Sequence, residues 1–523
     1  MSKLVPTNRM SATDAAFLYL ERKEIPLHIA SVCVFDGPIP FQEFVESIDS
    51  KLHLVPRYLQ IPVAPAWSMD FPVWVDDPHF DIHRHIFRVT LDPPGGEAEL
   101  QALAGRILSQ LLDRSKPLWD MHIVEGLRDG RGAIIWRVHH ALADGVAGAE
   151  LIKVMLDSTP EVSHSPFKPR SRPRRRHAAQ GTVPNNLSGV ITNTLGSLLT
   201  LEAGLLDFAQ AILGDKRESA FQGLAELVPE FAASIERLPF NSPCTGERKF
   251  CWTEFSMADV QAVREAAGGT VNDIILSVLT RALARYVKLH GQSVINRFVR
   301  IVCPVNLRHA DQNGGLGNQI SFLPVALPMD VRGPVRMLQA VARRTEVLKR
   351  SGALGVVGLA AKWLASVPPP IQALFWRNIP DVILPVPLLN MICTNVAGSP
   401  TPLYAVGRRM LAAYPQVPTG YDLGIGCAVH SYDGKLFLGF IADTQAAPDV
   451  EHLRDFLVLS FQELRRSATL KKARRAGGAT RVSGREPEKP AEPARAAALE
   501  SKIAGAPAAS IPVPVGEHSK EAA

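Results

Sequence analysis

A neutral imidazole near pH 7 can take the proton of an alcohol or amine as that group attacks a carbonyl. This chain presents two imidazoles side by side in the heptad His139-His140-Ala141-Leu142-Ala143-Asp144-Gly145. The heptad follows Ala133-Ile134-Ile135-Trp136-Arg137-Val138, whose alternation has the period of a half-buried strand, and it precedes Val146 to Leu156, which reads as an apolar helix. A strand that turns into a helix through Asp-Gly places an imidazole at a sheet edge, where it can face a cleft. Successive strand side chains point to opposite faces, so only one of the two histidines can easily look into such a cleft, and the other suits a structural role. Asp144 stands where a helix N-cap would, and Gly145 permits a tight turn or close approach of another segment.

Two plainer readings compete with general-base chemistry. One is a hydrogen-bonded histidine pair beside a capping aspartate. The other is a zinc site, since His139, His140 and Asp144 are three potential ligands. Adjacent strand histidines diverge, however, and no second Cys or His cluster completes a tetrahedral set, so no metal is expected. The chain lacks a G-x-S-x-G elbow and lacks a cysteine in an activating pattern. The expected chemistry is therefore direct attack of the acceptor on an acyl donor, without a covalent acyl-enzyme.

Three further clusters are candidates. Asn272-Asp273 opens a helix after Gly268-Gly269-Thr270-Val271; it is either ordinary capping or a polar pair facing the cleft, with the Asn amide polarising a carbonyl. Pro117-Leu118-Trp119 leads into a strand, as a substrate contact or a packing corner. Arg308 ends Pro304-Val305-Asn306-Leu307-Arg308 and could cross a domain boundary to pair with Asp144 or reach substrate; otherwise it is a solvated loop residue.

These groups need a scaffold of mixed α/β (α+β) make-up. Strands are predicted at Ser31 to Phe35, Met121 to Leu127, Ala133 to Val138, Phe250 to Phe255, Arg297 to Pro304, Gln319 to Leu327, Leu389 to Asn395, Leu423 to Ser431 and Leu436 to Ala442. Helices are predicted at Gln42 to Leu52, Glu97 to Leu112, Met257 to Ala267, Val271 to Leu289, Val335 to Arg350 and Val450 to Arg466. The 523 residues divide into an N-terminal domain (1–165), a basic linker with connecting helices (166–245), a C-terminal domain (246–466) and a disordered Ala/Pro/charged tail (467–523). Leu198 to Leu213 carries a long apolar face, as a connecting helix or an interfacial anchor.

The net charge of +6 is local: Lys168 to Arg176 holds six cations, and from Lys471 onward ten cations face six anions. Elsewhere acidic residues outnumber basic ones by four, so no basic face for nucleic acid is expected. A basic segment beside apolar helices suits an anionic membrane surface instead. Six scattered cysteines read as reduced, mostly buried thiols of a cytosolic protein. The N-terminus has no signal-peptide core, and prolines interrupt the longest uncharged stretch, Val382 to Gly407. Any membrane contact is expected to be peripheral.

In order along the chain, these clusters resemble the bacterial wax ester synthase/acyl-CoA:diacylglycerol acyltransferase (WS/DGAT) family. Met10 to Glu21 (MSATDAAFLYLE) is similar to its opening motif, Trp74 to Asp81 (WVDDPHFD) to its WVDDPxFD block, Pro117-Leu118-Trp119 to PLW, and the heptad to HHxxxDG. Thr270-Val271-Asn272-Asp273 resembles its ND motif, while Leu316-Gly317-Asn318 and Asn395-Val396-Ala397-Gly398-Ser399-Pro400 resemble two more blocks. The family commonly has proline for Ala397 and valine for Ala143. The resemblance spans about residues 10–465. It implies two chloramphenicol-acetyltransferase-like (CoA-dependent acyltransferase) domains with a channel between them. It implies that His140 is the base toward a lipid hydroxyl, that Asp144 orients the loop, through Arg308, and that Asn272 stabilises the transition state with support from Asp273. Backbone amides near Gly145 would hold the oxyanion. Substrates would be acyl-CoA, with no separate cofactor, and diacylglycerol or a long-chain alcohol, handled in the cytoplasm at a membrane or lipid-inclusion surface. Two rivals share the motif or fold: condensation-type acyltransferases of peptide or complex-lipid synthesis, which normally work beside carrier domains, and an inactive lipid-binding protein.

Overall fold

Two six-stranded sheets organise the described residues, and one of them borrows strands from the far end of the chain. The computed structural model describes residues 8–65, 70–143, 145–161, 235–306, 320–350, 355, 366–378 and 389–477. The first half runs α1 (Ala12–Leu20), β1 (His28–Phe35), α2 (Phe41–Lys51), β2 (Gln60–Val63), β3 (Val73–Asp76), β4 (Ile86–Thr90), α3 (Glu97–Leu108), β5 (Trp119–Glu125), β6 (Gly132–His139) and α4 (Gly145–Met155). The second runs β7 (Arg248–Ser256), α5 (Met257–Ala267), α6 (Val271–Leu289), β8 (Phe298–Asn306), β9 (Ile320–Pro328), α7 (Pro334–Arg350) and α8 (Pro369–Asn378). It continues with β10 (Met391–Ala397), β11 (Tyr404–Ala405), β12 (Arg408–Gln416), β13 (Ile425–Tyr432), β14 (Lys435–Asp443) and α9 (Val450–Gly477).

The first sheet has the order β11-β12-β1-β6-β5-β4 and the second β7-β14-β13-β10-β8-β9; β2 and β3 form a separate ribbon. This corrects the predicted 246–466 domain. Residues 404–416 leave it to extend the first sheet, with β12 antiparallel to β1 (Ser31 opposite Pro415). β11 covers only the start of β12, pairing with Arg408 and Arg409, so Pro415 lies where β12 has β1 as its one ladder partner among the described strands. β12 also lies tight against β14. A Cβ on Gly439 would sit 2.0 Å from the Pro415 carbonyl oxygen, so only glycine allows that approach.

Two apolar cores result, one around Trp119, Ile135 and Phe437 that draws residues from both halves and one around Leu279, Ile301 and Phe440 in the second half. Arg248 ties the halves together: it pairs with Asp443 at 2.7 Å and donates to the carbonyls of Glu24 and Thr419, each at 2.9 Å. Both side chains of that pair are buried, so losing one would strand the other charge.

Two other expectations change. Strand β6 is buried along its whole length, on both faces, because a charged layer covers one side and a cavity wall the other. Helix α9 runs to Gly477, so residues 467–477 of the predicted tail are helical. The cationic stretch 168–176, Leu198 to Leu213 and the rest of the tail lie outside the described residues. All six cysteines are free thiols, and only Cys244 is not buried.

Candidate active site

Alternation along β6 decides which histidine meets a ligand. Trp136, Val138 and His140 line a cavity of about 680 Å³, within the usual size of a small-molecule site. Other walls come from α1 (Ala12, Ala16, Phe17, Leu20), α4 (Gly148, Ala149, Ile152), β10 (Thr394, Asn395), the end of β12 (Pro415, Gln416) and the loop after it (Val417 to Tyr421, Leu423). Segments from both ends of the chain therefore enclose it. The His140 ring is stacked on Phe17, with centroids 3.9 Å apart and planes 16° from parallel. Its backbone N–H donates to the Leu27 carbonyl at 2.9 Å, which fixes the strand end from which the ring projects.

The opposite face of β6 is charged and closed. Arg137 grips Asp120 through Nε and Nη2 (2.9 and 2.6 Å) and donates from Nη1 to the Ile107 and Gln110 carbonyls. His139 has no solvent exposure; the Ala141 N–H donates to its Nδ1 at 3.0 Å. In the neutral ring the proton then sits on Nε2, 3.2 Å from Glu21 Oε1. Glu21 also accepts from the Leu27 N–H (3.1 Å) and from Arg114 (3.0 Å). Burial pushes the Glu21 carboxyl up, but His139, Arg114 and the Leu27 N–H outweigh it and hold it at about 2. His28, opposite His139 on β1, is driven down to about 3 by burial and then by the nearby Arg137.

The structure brings few of the other sequence candidates to the cavity. Leu118 and Trp119 have no exposure; Trp119 stacks on His85 and Tyr58 and donates from Nε1 to the Tyr58 carbonyl at 2.9 Å. With Pro117, whose carbonyl accepts the Trp119 N–H, they form a buried packing corner outside the cavity wall. Asp273 completes a capping box with Thr270 and accepts from Thr345 Oγ1 at 2.6 Å, so its carboxylate is occupied by structure. Asn272, beside it, is half-buried and absent from the cavity wall. Helix α4 begins at Gly145, while Asp144 and Arg308 lie outside the described residues.

Sequence reasoning missed several wall residues. Thr13 and Phe17, like Ala12, Ala16 and Leu20, recur at four-residue spacing on α1, and that helical periodicity was available as a signal. His430 on β13 also faces the cavity; burial lowers it to about 4 against the opposing pull of the Val396 carbonyl. A Cβ on Gly398 would lie 2.3 Å from that ring, so glycine in the Asn395 to Pro400 block makes room for it.

Two joined lobes, a shared cavity and one histidine at the end of a central strand define an acyltransferase fold of the CoA-dependent kind. Family models agree: the wax ester synthase/diacylglycerol acyltransferase catalytic domain matches residues 10–275 and the WS/DGAT C-terminal domain residues 316–465. The chain belongs to the wax ester synthase/diacylglycerol acyltransferase family. It is 28% identical over 466 residues to a putative diacylglycerol O-acyltransferase of Mycobacterium tuberculosis, covering 87% of this chain and 90% of the relative. A Mycobacterium bovis relative with the same description is 28% identical over 454 residues, 85% and 93% of the two chains. Among solved structures, the wax ester synthase/diacylglycerol acyltransferase of Marinobacter aquaeolei VT8 superposes with a TM-score of 0.60 at 23% identity, covering 88% of this chain and all of that one. The first condensation domain of the CDA synthetase shares the fold at a TM-score of 0.55 and 14% identity, covering 89% and 98%. Both likenesses describe architecture.

Proposed function

We propose that this acyltransferase moves a long-chain fatty acyl group from acyl-CoA to the hydroxyl of diacylglycerol or a long-chain alcohol, with no separate cofactor. The observation that carries this reading is the His140 ring at the wall of an otherwise largely apolar cavity between the lobes. His140 takes the hydroxyl proton as the oxygen attacks the thioester carbonyl; the C–S bond breaks, and the thiolate leaves with the proton from the imidazolium. Backbone amides at the start of α4 are placed by this reading at the developing oxyanion, and such donors contribute a factor of about 10² to 10³. The test is a product assay with labelled acyl-CoA. His140→Ala is expected to lose a factor of about 10² to 10⁴ in kcat. Wild-type rates in that variant, or a labelled acyl group trapped on the protein, would end the proposed mechanism.

Lipid substrates must reach the cavity from an apolar phase. No helix among the described residues is long and apolar enough to cross a membrane. Helix α8 instead exposes Ile371, Leu374 and Phe375 (57%, 67% and 49%) while Trp376 lines the cavity. Arg377 follows, and Arg22 donates to its carbonyl, so cations border the apolar face. In this reading α8 rests on an anionic lipid surface beside the cavity mouth. Leu374→Glu combined with Phe375→Glu should abolish sedimentation with anionic vesicles; unchanged sedimentation would remove α8 from the model of lipid entry.

A further inference from the structure

A second cavity, of about 660 Å³, lies between α6, the turn before β8 and the connection from β9 to α7. It shares no wall residue with the catalytic cavity. The two also lie on opposite faces of the second sheet. Val302 and Ile392, paired on β8 and β10, line the catalytic cavity, while their neighbours Ile301 and Met391 pack into the core that α6 covers. Ala284, Val294 and Met329 of the second cavity belong to that same core.

Its wall is cationic. Arg281, Arg285 and Lys288 follow one another on α6 at spacings of four and three residues, hence on one face, and Arg332 joins them from the β9–α7 connection. Asp330 is the one carboxylate among the described wall residues, and one of its oxygens accepts the Asn296 N–H at 3.0 Å. Four cations thus face one acid, in a chain whose acidic residues outnumber the basic ones outside its two cationic segments. The two guanidinium groups are anchored by α9. Arg281 Nη2 donates to Glu463 Oε2 at 2.6 Å, Arg285 Nη1 donates to Ser460 Oγ at 2.6 Å, and Arg285 Nη2 meets the other Glu463 oxygen. Their side chains are only 17% and 20% exposed, so both are positioned before any ligand arrives. Lys288 and Arg332 are exposed and can close on an anion from the solvent side.

We infer that this cavity is a second ligand site, which binds the phosphate group of a phosphorylated small molecule or of a phospholipid headgroup. A phosphate carries up to two negative charges and several acceptor oxygens around one centre, which suits converging guanidinium forks and an ammonium better than a carboxylate does. The volume suits a small organic group attached to that phosphate, and Val294, Met329 and Val331 offer it an apolar surface. Ile295, in the same wall, is 72% exposed, as a side chain would be that enters a lipid layer beside a bound headgroup. The site is independent of acyl transfer, because none of its residues reaches the wall that holds His140.

Glycerol 3-phosphate is the soluble probe, titrated calorimetrically into the full chain at fixed ionic strength, with acetate as the monoanion control. The same protein is sedimented with phosphatidylcholine vesicles with and without phosphatidylglycerol. Lys288→Gln combined with Arg332→Gln should keep the melting temperature and weaken phosphate binding by about tenfold or more. Arg128→Gln combined with Arg131→Gln removes the same charge from the exposed β5–β6 turn and should change neither measurement. Glycerol 3-phosphate binding that the first variant alone loses supports the site and assigns it to soluble phosphates. Vesicle binding that the first variant alone loses, without calorimetric binding, supports it and assigns it to a headgroup. Acetate binding as tight as phosphate, equal losses in the two variants, or no loss in the first variant would overturn the site. Displacement of glycerol 3-phosphate by coenzyme A would make the cavity part of the substrate path and overturn its independence.

Discussion

His139 and His140 are separated by one peptide bond and sit in different media. On the His139 side, Glu21, Asp120, Arg137 and His28 pack into a closed layer of charge and imidazole, which Arg114 reaches from the surface through Glu21. On the His140 side, the neighbours are Phe17, Val138 and an apolar cavity. The closed layer is rigid because its ions are matched: Arg137 places three nitrogens on a carboxylate and two carbonyls. On the open side the His140 ring lies against Phe17 at the wall of the cavity. One strand thus divides labour by its pleat, with positioning on one face and chemistry on the other.

The largest expected effect tests that division directly, with a variant on each face. His140→Ala should lose its factor of about 10² to 10⁴ in kcat yet melt within a few degrees of wild type. Asp120→Ala strands the Arg137 charge in the closed layer and should cost about 3 to 5 kcal/mol of stability. Urea unfolding and steady-state rates on both variants check this. If His140→Ala is the less stable protein of the two, the two faces are not functionally distinct.

Acid should separate the faces next. The folded-state values of His28 (about 3) and His430 (about 4) lie below the usual 6.5, so both rings are neutral in the fold. Above pH 6.5 their contribution is fully present. Below it the unfolded chain binds protons that the folded chain refuses, and stability falls by up to about 1.4 kcal/mol per pH unit for each ring. Glu21, depressed from 4.5 to about 2, adds a second loss between those values. Neither His28 nitrogen has a hydrogen-bond partner among the described residues, so His28→Leu removes a titrating group without breaking a bond. Its melting temperature should be held at pH 7.5 and fall less than that of wild type between pH 6.5 and 5. An unchanged slope would show that His28 is already protonated in the fold.

Much of this arrangement was legible in the sequence, for local reasons. The alternation of Ala133 to Val138 and the apolar run after Gly145 place β6 and α4 within a residue or two. Thr270 and Asp273, three apart before a long amphipathic run, are a capping pattern, and the structure shows that cap. What the sequence hid is non-local. β12 begins with two arginines and contains Pro415, so it scores poorly as a strand and is held by β1 and β14. Burial of β6 on both faces depends on α1 and on residues 415–423, which no window around residue 136 contains. Trp376, Tyr421 and His430 were invisible for the same reason. They become neighbours only in the cavity wall that long-range packing builds.

Glu21 sharpens the comparison at a smaller scale, because it joins the faces. It holds His139 on the charged side and the Leu27 N–H, while the Leu27 carbonyl receives the His140 N–H. Glu21→Gln keeps an acceptor but loses the charge facing His139 and Arg114, and it should cost about 1 to 3 kcal/mol. The expected signature is a lower melting temperature with a modest loss of kcat and no change in the pH at which the rate on lipid half-saturates. A shift in that midpoint would mean that Glu21 acts on the protonation of the base and not only on its placement.

The smallest effect concerns Phe17, the one aromatic ring stacked on His140. A stacked pair is worth about 0.5 to 1.5 kcal/mol beyond burial, and here it limits rotation of the imidazole on the apolar side, where no charged layer restrains it. Phe17→Leu keeps an apolar wall and removes the stack, so kcat should fall about two- to tenfold. Phe17→Tyr keeps the ring and should retain most of the rate. If the Leu and Tyr variants lose activity equally, the stack does not hold the base. Phe17 would then be cavity wall alone, and the orientation of His140 would not depend on the stack.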